Sequence, residues 1–373
     1  MTQIPSPQEN DKFYGHTTAE QNFLNAYNAT RVHHAWLISG PKGIGKATLA
    51  YRIARFLLAD DVAPLEEEPP ALFDLEAPEK INQPTLSMSS EHPIFHRVAV
   101  NGHLDLSIVN LRLSDDEKRM PTVISVDQIR EIGGSLSLTP AEGGWRVVII
   151  DGAENLNTNA ANALLKILEE PPQKVIFLLV CHIPSRLIPT IRSRCSHIKL
   201  LPLPAEIIDI LLQSYVPELN NDDRKMLIRL SDGSIGRALE LSKNEGLSIQ
   251  SELITIFDSF PEIDIEATHK FADLIARREN EKHWQTTKEL ITRNIADLIK
   301  STFSKSALLS LRYGEVELAS LTRLQKLGSP KQWTKVWEDS FELFSIADNL
   351  NLDRKEVVLS IFGAMANIAE TRV

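Results

Sequence analysis

Apolar residues follow two periods up to Leu201 and a single, helical period after it. Residues 23–34 have helical spacing. Ala35–Ser39 is a short apolar run that predicts a buried strand. A glycine-rich turn follows, and over 47–58 Leu49, Ile53, Phe56 and Leu57 fall on one helix face. Alternation over 106–113 predicts a strand. Ile129, Ile132 and Leu136 predict a helix over 126–138. The β-branched run 147–150, ending at Asp151, predicts a parallel strand buried on both faces. A helix over 159–170 is stopped by Pro171-Pro172, and strands are predicted at 175–181 and 198–201.

Strands alternating with helices predict an α/β domain with a parallel sheet over 1–202. From there the pattern is all-α. Helices at 205–215, 222–230 and 237–243 form a short bundle, 203–246. Longer helices fill 247–373, with a loop near Gly314 and a break at 328–330. Trp333, Trp337, Phe341 and Phe344 recur at steps of four, four and three, which puts them on one helix face, as core or as interface. Residues 60–91 interrupt the first domain. Their start is dense in acid (Asp60, Asp61, Glu66, Glu67, Glu68, Asp74, Glu76, Glu79) and in proline, so they are expected to be a solvated, partly disordered insertion.

Composition narrows the class. In 373 residues, 40 basic side chains face 50 acidic ones, a net charge of -10 that argues against a broad polyanion-binding face. Only two cysteines occur, Cys181 and Cys195, which excludes a disulfide framework and an all-cysteine zinc module. No apolar run is long enough for a membrane span and the amino terminus has no secretory pattern, so a cytoplasmic location is expected, with no membrane partner.

The first chemistry lies in Gly40-Pro41-Lys42-Gly43-Ile44-Gly45-Lys46, which satisfies G-x-x-x-x-G-K between a predicted strand and a predicted helix. Gly40, Gly43 and Gly45 let backbone N–H groups turn toward phosphate oxygens, and Lys46 would reach the outer phosphates. The motif next asks for a hydroxyl to hold Mg²⁺, but Ala47 stands there. Thr48 is one position late, about 100° around the helix, and is expected to point elsewhere. Asp151 fits the strand-end carboxylate. Gly152 follows it where a water-activating Glu would stand, and Glu154 is expected not to point the same way. The cradle is kept, the metal ligand is damaged and the base is lost, which describes a scaffold that does not hydrolyse nucleotide. Whether ATP or ADP still binds weakly stays open.

A second basic element follows the strand 175–181: Ile191-Arg192-Ser193-Arg194-Cys195. A guanidinium here could act as an arginine finger in trans or be a solvated loop residue. Cys181, His182, Cys195 and His197 match no metal-ligand spacing, and no Ser/His/Asp arrangement is visible.

The glycine loop, the run Asn162-Ala163-Leu164-Leu165-Lys166-Ile167-Leu168-Glu169-Glu170-Pro171-Pro172, Ser193-Arg194-Cys195 and Gly233-Ser234-Ile235-Gly236-Arg237-Ala238-Leu239 occur together in this order. In this the chain resembles bacterial clamp-loader subunits of the DNA polymerase III holoenzyme, of the delta-prime type. The resemblance covers nearly the whole chain and implies an AAA+ architecture: a RecA-like P-loop domain, a small helical lid and a helical collar. It also implies that Cys181-His182 replaces a sensor-1 Thr pair. Gly236 stands where a sensor-2 Arg belongs, with Arg237 displaced by one. With no cysteine between Lys46 and Val180, no zinc is expected, although His103-Leu104-Asp105 sits where relatives often show His-Pro-Asp.

The resemblance assigns Arg194 to the ATP site of an adjacent gamma/tau subunit, with Lys166 and Glu169 near that seam. It implies gamma/tau and delta as partners in a five-subunit ring that loads a sliding clamp onto primer-template DNA. Phosphate contacts would come from helix N-termini and a few polar residues, Arg130 among them. No cofactor is required on this reading, and the chain is not an enzyme on its own but part of the polymerase holoenzyme. The alternatives are an active P-loop ATPase that uses Thr48 and Glu154 in non-standard geometry, and a stand-alone nucleotide-binding regulator.

Overall fold

A computed structural model describes residues 4–29, 32–59, 85–111, 123–277, 281–303 and 313–370. The chain divides into two compact units, Met1–Ile207 and Ile208–Val373.

In the first unit the strands are β1 (Ala35–Ser39), β2 (Leu106–Val109), β3 (Arg146–Asp151), β4 (Val175–Cys181) and β5 (Ser196–Lys199). They form one five-stranded parallel sheet in the order β2-β3-β4-β1-β5. Every residue of β1 and β4 is buried, because helices cover both faces. On one face α1 (Thr17–Asn28) and α2 (Lys46–Ala59) pack Phe23, Leu49, Ile53 and Leu57 against Trp36, Ile38, Ile149 and Leu178. On the other, α4 (Val126–Leu136) and α5 (Thr158–Glu169) pack Ile129, Ile132, Leu164 and Leu168 against Leu37, Val148, Ile150 and Leu179. Two short helices, α3 (Pro93–Ala99) and α6 (Pro189–Arg192), complete this unit. Helix starts are set by capping: Ser125 and Gln128 form a capping box on α4, and Asn157 accepts the Ala160 N–H at 2.8 Å on α5.

The register decides what the sheet presents at its carboxyl end. Ser39 pairs with Cys181 and Asp151 with Val180, so the glycine loop after β1, Asp151 at the end of β3 and Cys181-His182 at the end of β4 come to one edge.

Several expected bounds move. The first helix begins at Thr17, not at 23, because its apolar face already starts at Ala19, and it ends at Asn28. The last strand lies at Ser196–Lys199, not 198–201. It is an edge strand, and only Ile198 of its four residues is buried, so it carries no continuous apolar run. Helix α3 was not expected before 98; the His92 side chain caps it and Pro93 begins it. Of the insertion expected at 60–91, residues 60–84 lie outside the described residues, as do 112–113 of the strand expected over 106–113.

From α7 (Ala205–Tyr215) on, the described residues are helical: α8 (Asn221–Ser231), α9 (Ile235–Lys243), α10 (Gly246–Ser259), α11 (Ile265–Ala276), α12 (Glu281–Phe303), α13 (Glu315–Leu327), α14 (Pro330–Leu350) and α15 (Arg354–Glu370). The aromatic stripe expected on α14 splits. Trp333 and Phe344 are buried, whereas Trp337 is half-buried and Phe341 is 52% exposed, the latter two meeting edge to face at 4.8 Å. Each four-residue step advances about 40° around a helix, so Trp337 and Phe341 rotate off the face that Trp333 and Phe344 share. Among the described residues no helix is long and apolar enough to cross a membrane.

Candidate functional site

The glycine loop joins β1 to α2 in a strained path. At Gly40 φ is +147°, and a Cβ there would lie 2.5 Å from the Leu200 carbonyl oxygen, so a side chain is excluded. Lys46, the first residue of α2, is 3% exposed and turns back onto the loop. Its Nζ donates to the Gly40 carbonyl at 2.7 Å and to the Pro41 carbonyl. Burial lowers its pKa to about 8, against the pull of Glu154 and Asp151. Thr48 is buried in the same first turn. Gly43 completes the turn with φ +76°.

The loop is held from outside by the amino-terminal segment, which the sequence reading missed. The His16 Nε2–H donates to the Ile44 carbonyl at 2.9 Å. Arg52 bonds Glu20 at 2.6 Å and the Asp11 carbonyl at 2.7 Å. Arg55, 1% exposed, donates to the carbonyls of Gln8 (3.2 Å) and Asn10 (2.9 Å) and lies 4.4 Å over the Phe95 ring. Burial lowers the Arg55 pKa to about 10. Two arginines three apart on an otherwise apolar helix were the signal available.

At the end of β3, burial raises the Asp151 carboxyl above the usual range, opposed by His182 and Lys46. Gly152 has φ +82°, and a Cβ on it would fall 2.8 Å from the Asn155 side-chain nitrogen. It leads into a single 3₁₀ turn, Ala153–Asn155. That turn corrects one expectation. Glu154 does point back into the site: its side chain is 5% exposed and its Oε1 accepts the His182 N–H at 3.0 Å. A tight turn, unlike a strand or helix continuation, reverses the chain in three residues. The Glu154 carboxylate therefore ties the end of β3 to the end of β4, while its Oε2 is buried without a hydrogen-bond partner. Burial and Glu154 together push the Cys181 thiol up to about 12. Burial and Lys46 lower the His182 pKa. No nucleophile or metal ligand set results from these two residues. Burial likewise pushes the Cys195 thiol up to about 12.

Arg194 lies elsewhere on the first unit, just after α6. Ile191 and Cys195 beside it are buried, and the Cys195 thiol donates to the Ile191 carbonyl, so the turn is anchored on both flanks. The guanidinium faces solvent, bonding Glu169 Oε1 at 2.9 Å through Nη2 and the Thr190 carbonyl at 3.2 Å through Nη1. Arg130 is exposed and lies 3.4 Å from Asp127; with Lys166, Asn159 and Asn162 it lines a groove of about 470 Å³ between α4 and α5.

Among the described residues one cluster, His103, Asp105 and Glu142, could converge on a cation, with ligand atoms within 4.8 Å of one another. Most of its ligand atoms already have partners, the buried His103 Nε2 excepted. Both Asp105 oxygens accept backbone N–H groups, from Ala141 (2.9 Å) and Glu142 (3.0 Å), and Arg97 bonds the Glu142 carboxylate. The His103 Nδ1 accepts the Asp105 N–H at 3.2 Å, so the proton sits on Nε2, the nitrogen a metal would need. This donor set fits a loop lock and does not fit a metal.

In the second unit Arg237, the cation next to Gly236, is committed to Asp232 (3.1 Å) and Glu289 (2.9 Å). Arg293 bonds Asp232 at 3.1 Å and the carbonyls of Arg229 and Leu230, and Tyr313 donates to Asp297 at 2.7 Å.

With this geometry in hand, the family follows from comparison. The model of the family described as DNA polymerase III, delta subunit, matches residues 15–204, half of the chain. The chain belongs to this family. Its first unit is an α/β fold, a five-stranded parallel sheet with the glycine loop between β1 and α2, and the described residues of its second unit are helical. The chain is 36% identical over 202 residues to the DNA polymerase III subunit delta' of Pseudomonas aeruginosa, covering 54% of this chain and 53% of that one. It is 31% identical over 233 residues to subunit delta' of Escherichia coli, covering 62% and 61%. It is 25% identical over 350 residues to subunit gamma of Buchnera aphidicola, covering 92% and 85%. The match thus spans little more than half the length of the two delta' relatives. Among solved structures, a gamma subunit-related protein of Thermotoga maritima aligns with TM-score 0.39 at 16% identity, covering 93% of this chain and 99% of that one.

Proposed function

We propose that this chain is a non-hydrolysing, delta-prime-type subunit of the DNA polymerase III clamp loader. It joins gamma/tau and delta subunits in a five-membered ring and completes a neighbouring gamma/tau ATP site with Arg194. The ring places a sliding clamp on primed DNA. The observation that carries this reading is a contrast within one unit. The phosphate loop keeps its shape, yet Ala47 offers no oxygen, Gly152 offers no carboxylate, and Lys46 is bonded to the loop's own carbonyls. Arg194 meanwhile projects from a rigid turn outside that pocket. A guanidinium delivered in trans supports hydrolysis by neutralising charge on the transferring phosphoryl, worth roughly 10³–10⁵ in rate in the GTPases where it is measured. The groove lined by Arg130, Lys166, Asn159 and Asn162 between α4 and α5 offers two cations and two amides that suit phosphate contacts, which need no net positive charge on the whole chain.

The test is reconstitution with gamma/tau and delta. Arg194→Ala is expected to fold, to enter the ring, and to remove the share of ATP turnover that its neighbour's site contributes. Unchanged turnover overturns the finger assignment. One observation favours the rival, an active ATPase: Glu154 is turned toward Lys46 with an unpartnered Oε2. Isolated chain incubated with Mg·ATP separates the two. Turnover abolished by both Lys46→Ala and Glu154→Gln would establish the rival; no turnover is the expected result.

A further inference from the structure

We infer that Glu169 is a positioning residue for Arg194, holding the guanidinium in a reach-ready pose on the surface where a neighbour's nucleotide would meet it. The inference rests on the trans-finger reading above. Glu169 closes α5, Arg194 follows α6, and the two helices pack together. The backbone on both sides of the arginine is immobilised: Ile191 and Cys195 are buried, and the Arg194 N–H donates to the Ile191 carbonyl at 3.1 Å. The side chain is not. Its own exposure is 37%, and a free arginine there would sample many rotamers. The contacts that select one rotamer are Glu169 Oε1 and the Thr190 carbonyl, each taking one N–H. A guanidinium has five N–H donors in a fixed fork, so donors remain for a phosphate while Glu169 keeps its own.

The strength of the contact fits this role better than a lock. Glu169 is 52% exposed, and an ion pair in such surroundings is weak. Phosphate offers more charge to the same fork, so it wins any direct competition. What Glu169 supplies is orientation before the neighbour arrives.

The experiment uses the full ring and a double-mutant cycle in steady-state ATPase assays with DNA and clamp. Arg194-dependent turnover is defined as wild type minus Arg194→Ala. Glu169→Ala is expected to reduce that share about two- to five-fold, the order an exposed pair of this kind is worth, with nucleotide KM unchanged. Glu169→Gln, which keeps the acceptor oxygen and drops the charge, should fall between. In the Arg194→Ala background Glu169→Ala should have no effect, and neither variant should move the melting temperature of the isolated chain. Turnover unchanged or raised by Glu169→Ala overturns the inference, as does an equal loss in both backgrounds. If Arg194→Ala itself changes nothing, it is the finger reading that has failed.

Discussion

Lys46 shows how one side chain can be right by type and unusual by state. Its ammonium is nearly sealed off, satisfied by two carbonyls of its own loop, and its pKa falls to about 8. The unfolded chain holds this proton until about pH 10.4. Between these values the unfolded state binds more protons than the folded one, so stability rises with pH. Below pH 8 both states are charged and the full penalty of the buried ammonium is present. Wild type minus Lys46→Met, read by urea unfolding, should therefore shift in favour of wild type by about 1–2 kcal/mol between pH 7 and pH 9.5; a flat difference would mean the ammonium is solvated. At this scale the sequence was legible where chemistry is read from identity: Ala47 has no oxygen and Gly152 no carboxylate in any fold. It was not legible where direction depends on a turn. The positive φ of Gly152 and the 3₁₀ turn behind it swing Glu154 back to the His182 N–H, and no periodicity encodes that reversal.

Elements buried on both sides announce themselves, which is why β1, β3 and β4 were readable within a residue. Their central residues are apolar because helices cover both faces of the sheet, with polar residues only at the ends of β1 and β3. Edge and surface elements are different. The β5 bounds slipped because only one of its residues is buried, and α3 was missed because seven residues carry too little periodicity. The amino-terminal segment has no regular structure at all over residues 4–16, yet it braces the phosphate loop through buried cations of α2. Arg55 satisfies two backbone carbonyls there, which would be left without a donor in Arg55→Met. The loss of two charge-assisted hydrogen bonds is expected to lower stability by about 2–3 kcal/mol in urea unfolding, even though methionine fills much of the same space. Retention of full stability would show that Arg55 is not what holds the segment, leaving Arg52 and His16 as its polar ties.

At the scale of the whole molecule, the segments read as lid and collar share one compact unit, and a network of charges shows how they are joined. Arg237 on α9 and Arg293 on α12 converge on Asp232 after α8, and Glu289 of α12 takes the second arm of Arg237. Arg293 also caps the carbonyls of Arg229 and Leu230 at the end of α8, and it sits 3.9 Å from Asp297, which Tyr313 and Lys300 also contact. Burial, then Arg293, lowers the Arg237 pKa, and burial with Asp297 raises that of Tyr313. Two carboxylates thus engage the Arg237 guanidinium, and these bonds link α8, α9 and α12. Arg293 and Asp297 are the buried members, whereas Asp232 and Glu289 are exposed, so removing Arg293 chiefly strips a buried carboxylate of a cationic neighbour, which costs more than breaking an exposed pair. Arg293→Met should therefore raise amide exchange in α8, α9 and α12 together while leaving the β1, β3 and β4 amides of the first unit at their wild-type rates. If only α12 loosened, α8 and α9 would be a separate body from α12 that happens to touch it.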